Sequence, residues 1–346
     1  MALSVSRRSL LAAAAVPVAA WRAPARPWPR EVLAFYYGWW GPAATSGARR
    51  HWGEARPDGA GVTGARHSPQ RGLYDSLNAS DVAWQIAQAR AAGISGFVAS
   101  WWGRGCYEDA NLELLLRAAA GSPFRVCAYY ETSGDGPREG EAAAARITAD
   151  LDWLARRHMT SPAWLTVEGR PVLFVFDRVC DQVEPLVLAA AVRRLRAAGG
   201  PRLFVIGPAT YPETRAARAP WFDALHAYSI LPDVYDVGMW GLADAAGRRY
   251  RREVAAAGRG LACVPVSPGY DDRGVEDRPG RRPVLKRRDG ATYRALWDAA
   301  IRAGPDWVLI TSWNEWHEAT EIEPSVENGG RELATTREMV RRFRTA

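Results

Sequence analysis

Apolar runs of strand length recur along the chain, each rich in β-branched or aromatic residues. They cover residues 32–38, 94–101, 124–131, 171–177, 203–208, 222–229, 261–267 and 307–313. Between them lie Ala- and Arg-rich segments of helical character. These fall around 81–92 and 109–120, through EAAAARITADLDWLARRH and EPLVLAAAVRRLRAAGG, and at about 331–343. Strands buried on both faces read as near-continuous apolar runs, so the pattern predicts a parallel sheet covered by helices. Eight β/α units are the number that closes such a sheet into a barrel. The expected fold is therefore α/β, a single (β/α)8 TIM barrel with long βα loops. An open doubly wound sheet competes with it. Against that sheet, no Gly-x-Gly-x-x-Gly follows the first strand, and chemistry-bearing residues end many strands rather than meeting at one switch point.

Length and composition agree with one barrel. The 346 residues need no second domain, and no short-period repeat or coiled coil interrupts them. One irregular stretch, SPGYDDRGVEDRPGRRPVLKRRDGAT at 267–292, is expected to be a long loop after the seventh strand. The N-terminus reads differently. Adjacent Arg7 and Arg8 precede an uncharged run from Ser9 to Ala20, too short to span a bilayer, and Val18-Ala19-Ala20 suits a cleavage site. Ser6-Arg7-Arg8-Ser9-Leu10-Leu11 resembles a twin-arginine export signal, with an ordinary Sec signal as the alternative route. Residues 1–30 are thus expected to be signal and Pro-rich linker, and 31–346 the catalytic domain. The expected product is an exported monomer, periplasmic or extracellular, with no stable membrane anchor after cleavage.

Charge removes one class of partner. The formal net charge is +7, but residues 1–30 carry five Arg and no acid, which leaves +2 for residues 31–346. Nothing in that balance points to nucleic acid. Four Cys lie far apart without a Cys-x-x-Cys pair, which argues against a zinc knuckle; Cys127 and Cys263, inside apolar runs, are expected to be buried thiols. The 16 Trp cluster in short sequences such as Trp39-Trp40 and Trp101-Trp102. Paired indoles suit a sugar cleft, although core packing explains any single one.

In a β/α barrel the chemistry sits at the C-terminal ends of the strands. Those ends hold Tyr36, Tyr37, Trp39 and Trp40; Ser100, Trp101 and Trp102; Tyr129, Tyr130 and Glu131; Asp177; Tyr228 and Ser229; Tyr270 and Asp271; and 313–318. The inventory is aromatic and carboxylic, with no Lys and few Arg, which fits an oligo- or polysaccharide and not a phosphate ester. Glu315 and Glu318 stand three apart. If the last strand ends near Asn314 and the chain turns, both face one cleft, and Trp313 and Trp316 would desolvate one of them. Two close carboxyls in unequal surroundings supply an acid and a base, as glycosidic cleavage requires. Ion pairing is the competing reading for such a pair, and helix capping for Glu321 and Glu323. A metal reading exists because His317 lies between the two acids, but His51, His67, His158 and His226 have no ligand-like spacing, so no metal or cofactor is expected.

ITSWNEWHEATEIEP at 310–324 resembles the Ser-Phe-Asn-Glu-Trp-His-Glu-Gly-Thr-Gln-Ile-Glu signature of glycoside hydrolase family 99, the endo-α-1,2-mannosidases and endo-mannanases. FYYGWW at 35–40, the stretch 74–103 ending in Ser-Trp-Trp-Gly, RPVLFVFD at 170–177 and VPVSPGYDDRGV at 264–275 are similar to other family segments in the same order. The resemblance spans about 32 to 325. It implies a metal-independent retaining hydrolase in which Glu315 acts as base on the substrate's own 2-hydroxyl. That oxygen attacks the anomeric carbon to give a 1,2-anhydro sugar, while Glu318 protonates the leaving oxygen and later activates water. By the same likeness Trp101 or Trp102 lines the −1 subsite, and Tyr36, Tyr37, Tyr228, Tyr270, Asn314 and His317 are subsite residues, alongside Glu131 and Trp316 from the strand ends. Ala319 stands where the family has Gly, Glu321 where it has Gln, and Thr132 follows Glu131 where the family has Pro-Tyr. A non-catalytic or polysaccharide-biosynthesis carbohydrate-binding barrel carrying a similar Asn-Glu-Trp motif is the alternative.

Overall fold

The structure, a computed structural model, describes residues 27–56, 61–275 and 282–346. The segment expected to be an N-terminal export signal lies outside the described residues. Trp28 and Arg30, inside the segment expected to be a linker, are docked on the barrel. The Trp28 ring meets Phe204 at 6.1 Å, and the Arg30 guanidinium donates to the Phe343 carbonyl.

Every apolar run becomes a parallel strand: β1 (Glu31–Tyr36), β2 (Gly96–Trp101), β3 (Arg125–Tyr130), β4 (Arg170–Val175), β5 (Phe204–Pro208), β6 (Ala224–His226), β7 (Cys263–Val266) and β8 (Trp307–Ile310). Neighbours pair in the order β6-β5-β4-β3-β2-β1-β8-β7. A parallel bridge between Leu225 and Ala262 brings β6 beside β7 and nearly closes the ring. Gly96 shows how tight that register is. A Cβ there would lie 2.3 Å from the Arg125 carbonyl oxygen, so no larger residue starts β2 in this pairing.

Helices α1 (Ala79–Ala91), α2 (Tyr107–Ala119), α3 (Gly140–Arg157), α4 (Pro185–Ala197), α5 (Gly238–Ala257), α6 (Ala291–Ala303) and α7 (Arg331–Thr345) cover the strands, while between β5 and β6 lie only the short turns Pro212–Thr214, Arg215–Arg218 and Ala219–Trp221. Asn78 starts α1 by accepting the Ser80 N–H at 2.9 Å. Alternation along each strand divides its side chains between the barrel interior and this helical coat. Phe35, Tyr129, Phe174 and His226 fill the interior with rings 4.8–6.2 Å apart. Cys127 and Cys263 are buried thiols as expected, and no disulfide links the four cysteines.

Candidate active site

After β8 the chain folds back across the barrel mouth as a pinned loop. Ser312 donates its N–H to the Thr320 carbonyl at 2.8 Å, and its hydroxyl accepts the Glu315 N–H at 2.7 Å. The Trp313 carbonyl accepts the N–H groups of Ile322 and Glu323 at 3.0 and 2.9 Å. Asn314 ties this loop to β1. Its side chain accepts the Tyr37 N–H at 2.7 Å and donates to the Tyr37 carbonyl at 2.9 Å. Below it the Tyr74 hydroxyl accepts from Asn314 Nδ2 (3.1 Å) and Trp316 Nε1 (3.0 Å) and donates to Glu323 (2.9 Å). Arg287 holds the return limb, donating to the Ala319 carbonyl at 3.1 Å and the Glu321 carboxylate at 2.5 Å.

This loop delivers the two acids to adjoining lobes of one cleft. Glu315 lines a lobe of about 440 Å³ with Trp39, His51, Trp102 and His317. Glu318 lines one of about 620 Å³ with Phe176, Tyr228, Tyr235 and Tyr270. The lobes meet at Arg178, whose guanidinium lies 4.7 Å from the Trp102 ring centre. Glu315 is buried, and its Oε1 accepts the His317 N–H at 3.0 Å, with His317 Nδ1 at 3.4 Å. Tyr37 donates to the Tyr228 hydroxyl at 2.8 Å, and both phenols feel the charges of Glu315 and Glu318. Burial first, with the neighbouring carboxylates Glu131, Glu315 and Glu318 adding to it, holds both phenols well above their usual pKa, so they remain neutral hydrogen-bonding groups. Glu131, buried behind them, accepts from Ser100 at 2.8 Å, and burial raises its carboxyl to about 8. Among the described residues no group of three or more His, Cys, Asp or Glu is placed to hold a metal ion.

Trp102, Tyr228, Tyr270, His317, Glu315 and Glu318 thus face the cleft, and Tyr37 and Glu131 sit behind its wall. Other expected positions do not reach it. Trp101 is fully buried on the outer face of β2, where its indole donates to Asp109 at 2.8 Å, because Ser100 and Trp102 take the inner face. Tyr36 points outward for the same reason and donates to Gln85 at 2.8 Å. Trp316 is buried beneath the loop with Trp40, Trp52 and Tyr74, and Trp313 packs on Phe97 at 5.3 Å. The indoles beside Glu315 are therefore Trp39 and Trp102, while phenols and Phe176 wall Glu318. Asn314 acts below the cleft on backbone. His226 lies deeper in the barrel, against the Val175 carbonyl at 3.1 Å. Neither Glu321 nor Glu323 caps a helix. Glu321 is buried between Arg287 and His67 (2.8 Å), and Glu323 between Tyr74 and Gln85. Arg178 departs from a cleft poor in cations, and it, Ser312, Gln85 and Arg287 carry no sequence signal of their roles. Within the segment 267–292, Tyr270–Asp271 pairs antiparallel with Val284–Leu285, and the Asp271 N–H donates to the Glu318 carbonyl at 2.7 Å.

Two results follow from this environment. Ala319 has φ +52°, in the left-handed region where its methyl group is strained. Ala319→Gly is expected to raise stability by about 1 kcal/mol, seen as a higher urea midpoint with unchanged slope; a lower midpoint would show that the loop relies on the methyl contact. The second concerns pH. Burial raises Glu323, like Glu131, to about 8 from an ordinary 4.5. Each carboxyl stays protonated in the folded protein while the unfolded chain ionises. Its contribution is complete below about pH 4.5 and is lost as pH rises through 8. Glu323→Gln should flatten the fall in stability between pH 5 and 8 in denaturant titrations, and an unchanged slope would locate that titration elsewhere.

A sequence profile of glycosyl hydrolase family 99 matches residues 28–336. The glycoprotein endo-alpha-1,2-mannosidase of Rattus norvegicus is 22% identical over 335 residues, covering 85% of this chain and 68% of that protein. A human glycoprotein endo-alpha-1,2-mannosidase-like protein is likewise 22% identical over 328 residues, covering 86% and 69%. Among solved structures, a GH99 endo-alpha-mannosidase from Bacteroides thetaiotaomicron superposes with a TM-score of 0.70 at 23% identity, covering 91% of this chain and 98% of that one.

Proposed function

The chain belongs to glycosyl hydrolase family 99 and is a glycoside hydrolase, and from that premise we propose that it cleaves α-linked mannose glycans with retention, through a 1,2-anhydro sugar. The observation that carries this reading is the delivery of Glu315 and Glu318 by one pinned loop to adjoining lobes. Glu315 faces the lobe walled by Trp39 and Trp102, where the ring being cleaved would lie, and acts as base on its 2-hydroxyl. The 2-oxygen attacks the anomeric carbon, and the bond to the leaving oxygen breaks as Glu318 gives that oxygen a proton. Water then opens the three-membered ring, with Glu318 as base and the proton held by Glu315 returned to the 2-oxygen. Glu318 would thus sit on the leaving-group side, in the lobe of Tyr228 and Tyr270. Neutral phenols at Tyr37 and Tyr228 supply hydrogen bonds without adding charge.

Incubation with defined α-1,2-linked manno-oligosaccharides, with products resolved by length and anomeric configuration, tests the assignment. Internal cleavage giving the α-anomer first is expected. An inverted product removes the mechanism. Glycan binding without any product across α-mannan substrates would favour the non-catalytic alternative.

A further inference from the structure

One indole stands clear of the whole molecule. Trp240 is 99% exposed, whereas the next most exposed tryptophan in the described structure, Trp221, is at 39%. An aromatic ring left entirely in water offers its whole flat apolar face to a ligand. The path of the chain places that face near the cleft. After β6 the backbone rises into the cleft, and Tyr228, Leu231, Pro232 and Tyr235 line the lobe that holds Glu318. Val237 and Met239 then pack against the core as α5 begins. In a β/α barrel the helix that follows a strand starts on the same face as the strand's C-terminal end. Trp240, third in α5, therefore belongs to the rim of the catalytic face. It lies five positions beyond Tyr235, a reach of at most about 18 Å even if fully extended. Tyr211, 48% exposed, lies on the lip of the same lobe.

We propose that Trp240 is a distal sugar-binding platform on which a hexose ring stacks after the glycan has left the Glu318 lobe. The inference rests on the glycoside-hydrolase reading and narrows its substrate to a glycan long enough to overrun both lobes. A flat indole matches the C–H face of a pyranose and needs no hydrogen-bond partner to do so. Continuity with the aromatic wall of the lobe selects a sugar chain over a protein partner as the occupant.

Trp240→Ala is to be compared with wild type on polymeric α-mannan and on a short oligosaccharide that fills only the two lobes. On the polymer KM is expected to rise about five- to tenfold, while kcat/KM on the short substrate stays within about twofold. Equal kinetics on the polymer, or an equal loss on both substrates, overturns the proposal. So does a wild-type dimer in sedimentation that the substitution dissociates with no change in KM, since the ring would then serve a second copy. If wild type hydrolyses neither substrate, the underlying reading fails. Affinity electrophoresis in α-mannan gels then judges Trp240 by itself. Weaker retardation of the variant supports the platform, and equal retardation rules it out.

Discussion

The Glu318→Gln substitution is expected to lower kcat on a glycan with a sugar leaving group by about a hundred- to ten-thousandfold, the usual worth of a positioned general acid. Folding and binding should be spared. The change is isosteric and the residue is only half-buried, while the backbone carbonyl that accepts the Asp271 N–H is untouched. Leaving-group chemistry separates this role from a structural one. Fluoride departs without a proton, so an α-mannosyl fluoride should restore bond breaking in the variant. Azide, a nucleophile that needs no base, should then restore turnover by opening the intermediate. A variant as slow on the fluoride with azide as on the oligosaccharide would deny Glu318 the acid role.

Glu315→Gln is expected to cost at least as much and to resist both remedies. Its task is to take a proton from the 2-hydroxyl, and neither a better leaving group nor azide replaces that step. The turn around it keeps its shape, because the Glu315 N–H still reaches Ser312 Oγ. The Glu315 Oε1 that accepts the His317 N–H has an amide oxygen as its counterpart. Retained binding of an oligosaccharide by calorimetry, with turnover lost on oligosaccharide and fluoride alike, is the expected pair of results. Recovery of activity by azide would instead mark Glu315 as a conventional nucleophile or acid.

The barrel was legible because its signal is repeated: eight apolar runs survive small errors at their ends, and every one became a strand. That Glu315 and Glu318 share one cleft was legible because both lie on one short loop. Side-chain direction at the strand ends was harder to read. Tyr36 and Tyr37, or Trp101 and Trp102, are adjacent and chemically alike, and only the phase of the strand decides which faces the sugar. That phase was available in principle. Phe35 and Ser100 are inward, so their second neighbours Tyr37 and Trp102 are inward too. Trp316 misled for a different reason, since beyond Ile310 the chain leaves strand geometry and neither period applies. What supports the loop was hidden. Tyr74, Gln85 and Arg287 come from distant segments and meet Asn314, Glu323 and Glu321 only through folding. The departure at position 319 was visible as Ala in place of Gly, but its cost depends on φ, which only the structure supplies.

The role of the substrate's own oxygen is open to one direct measurement with the unaltered protein. Two α-mannosyl fluorides are compared, one intact and one lacking the 2-hydroxyl, a loss that makes the anomeric centre intrinsically more reactive. With Glu315 serving that hydroxyl, the intact compound is consumed and its deoxy counterpart persists at the uncatalysed rate. Enzymatic release of fluoride from the deoxy compound at a comparable rate would mean that a protein group attacks the sugar, and the proposed chemistry would be wrong.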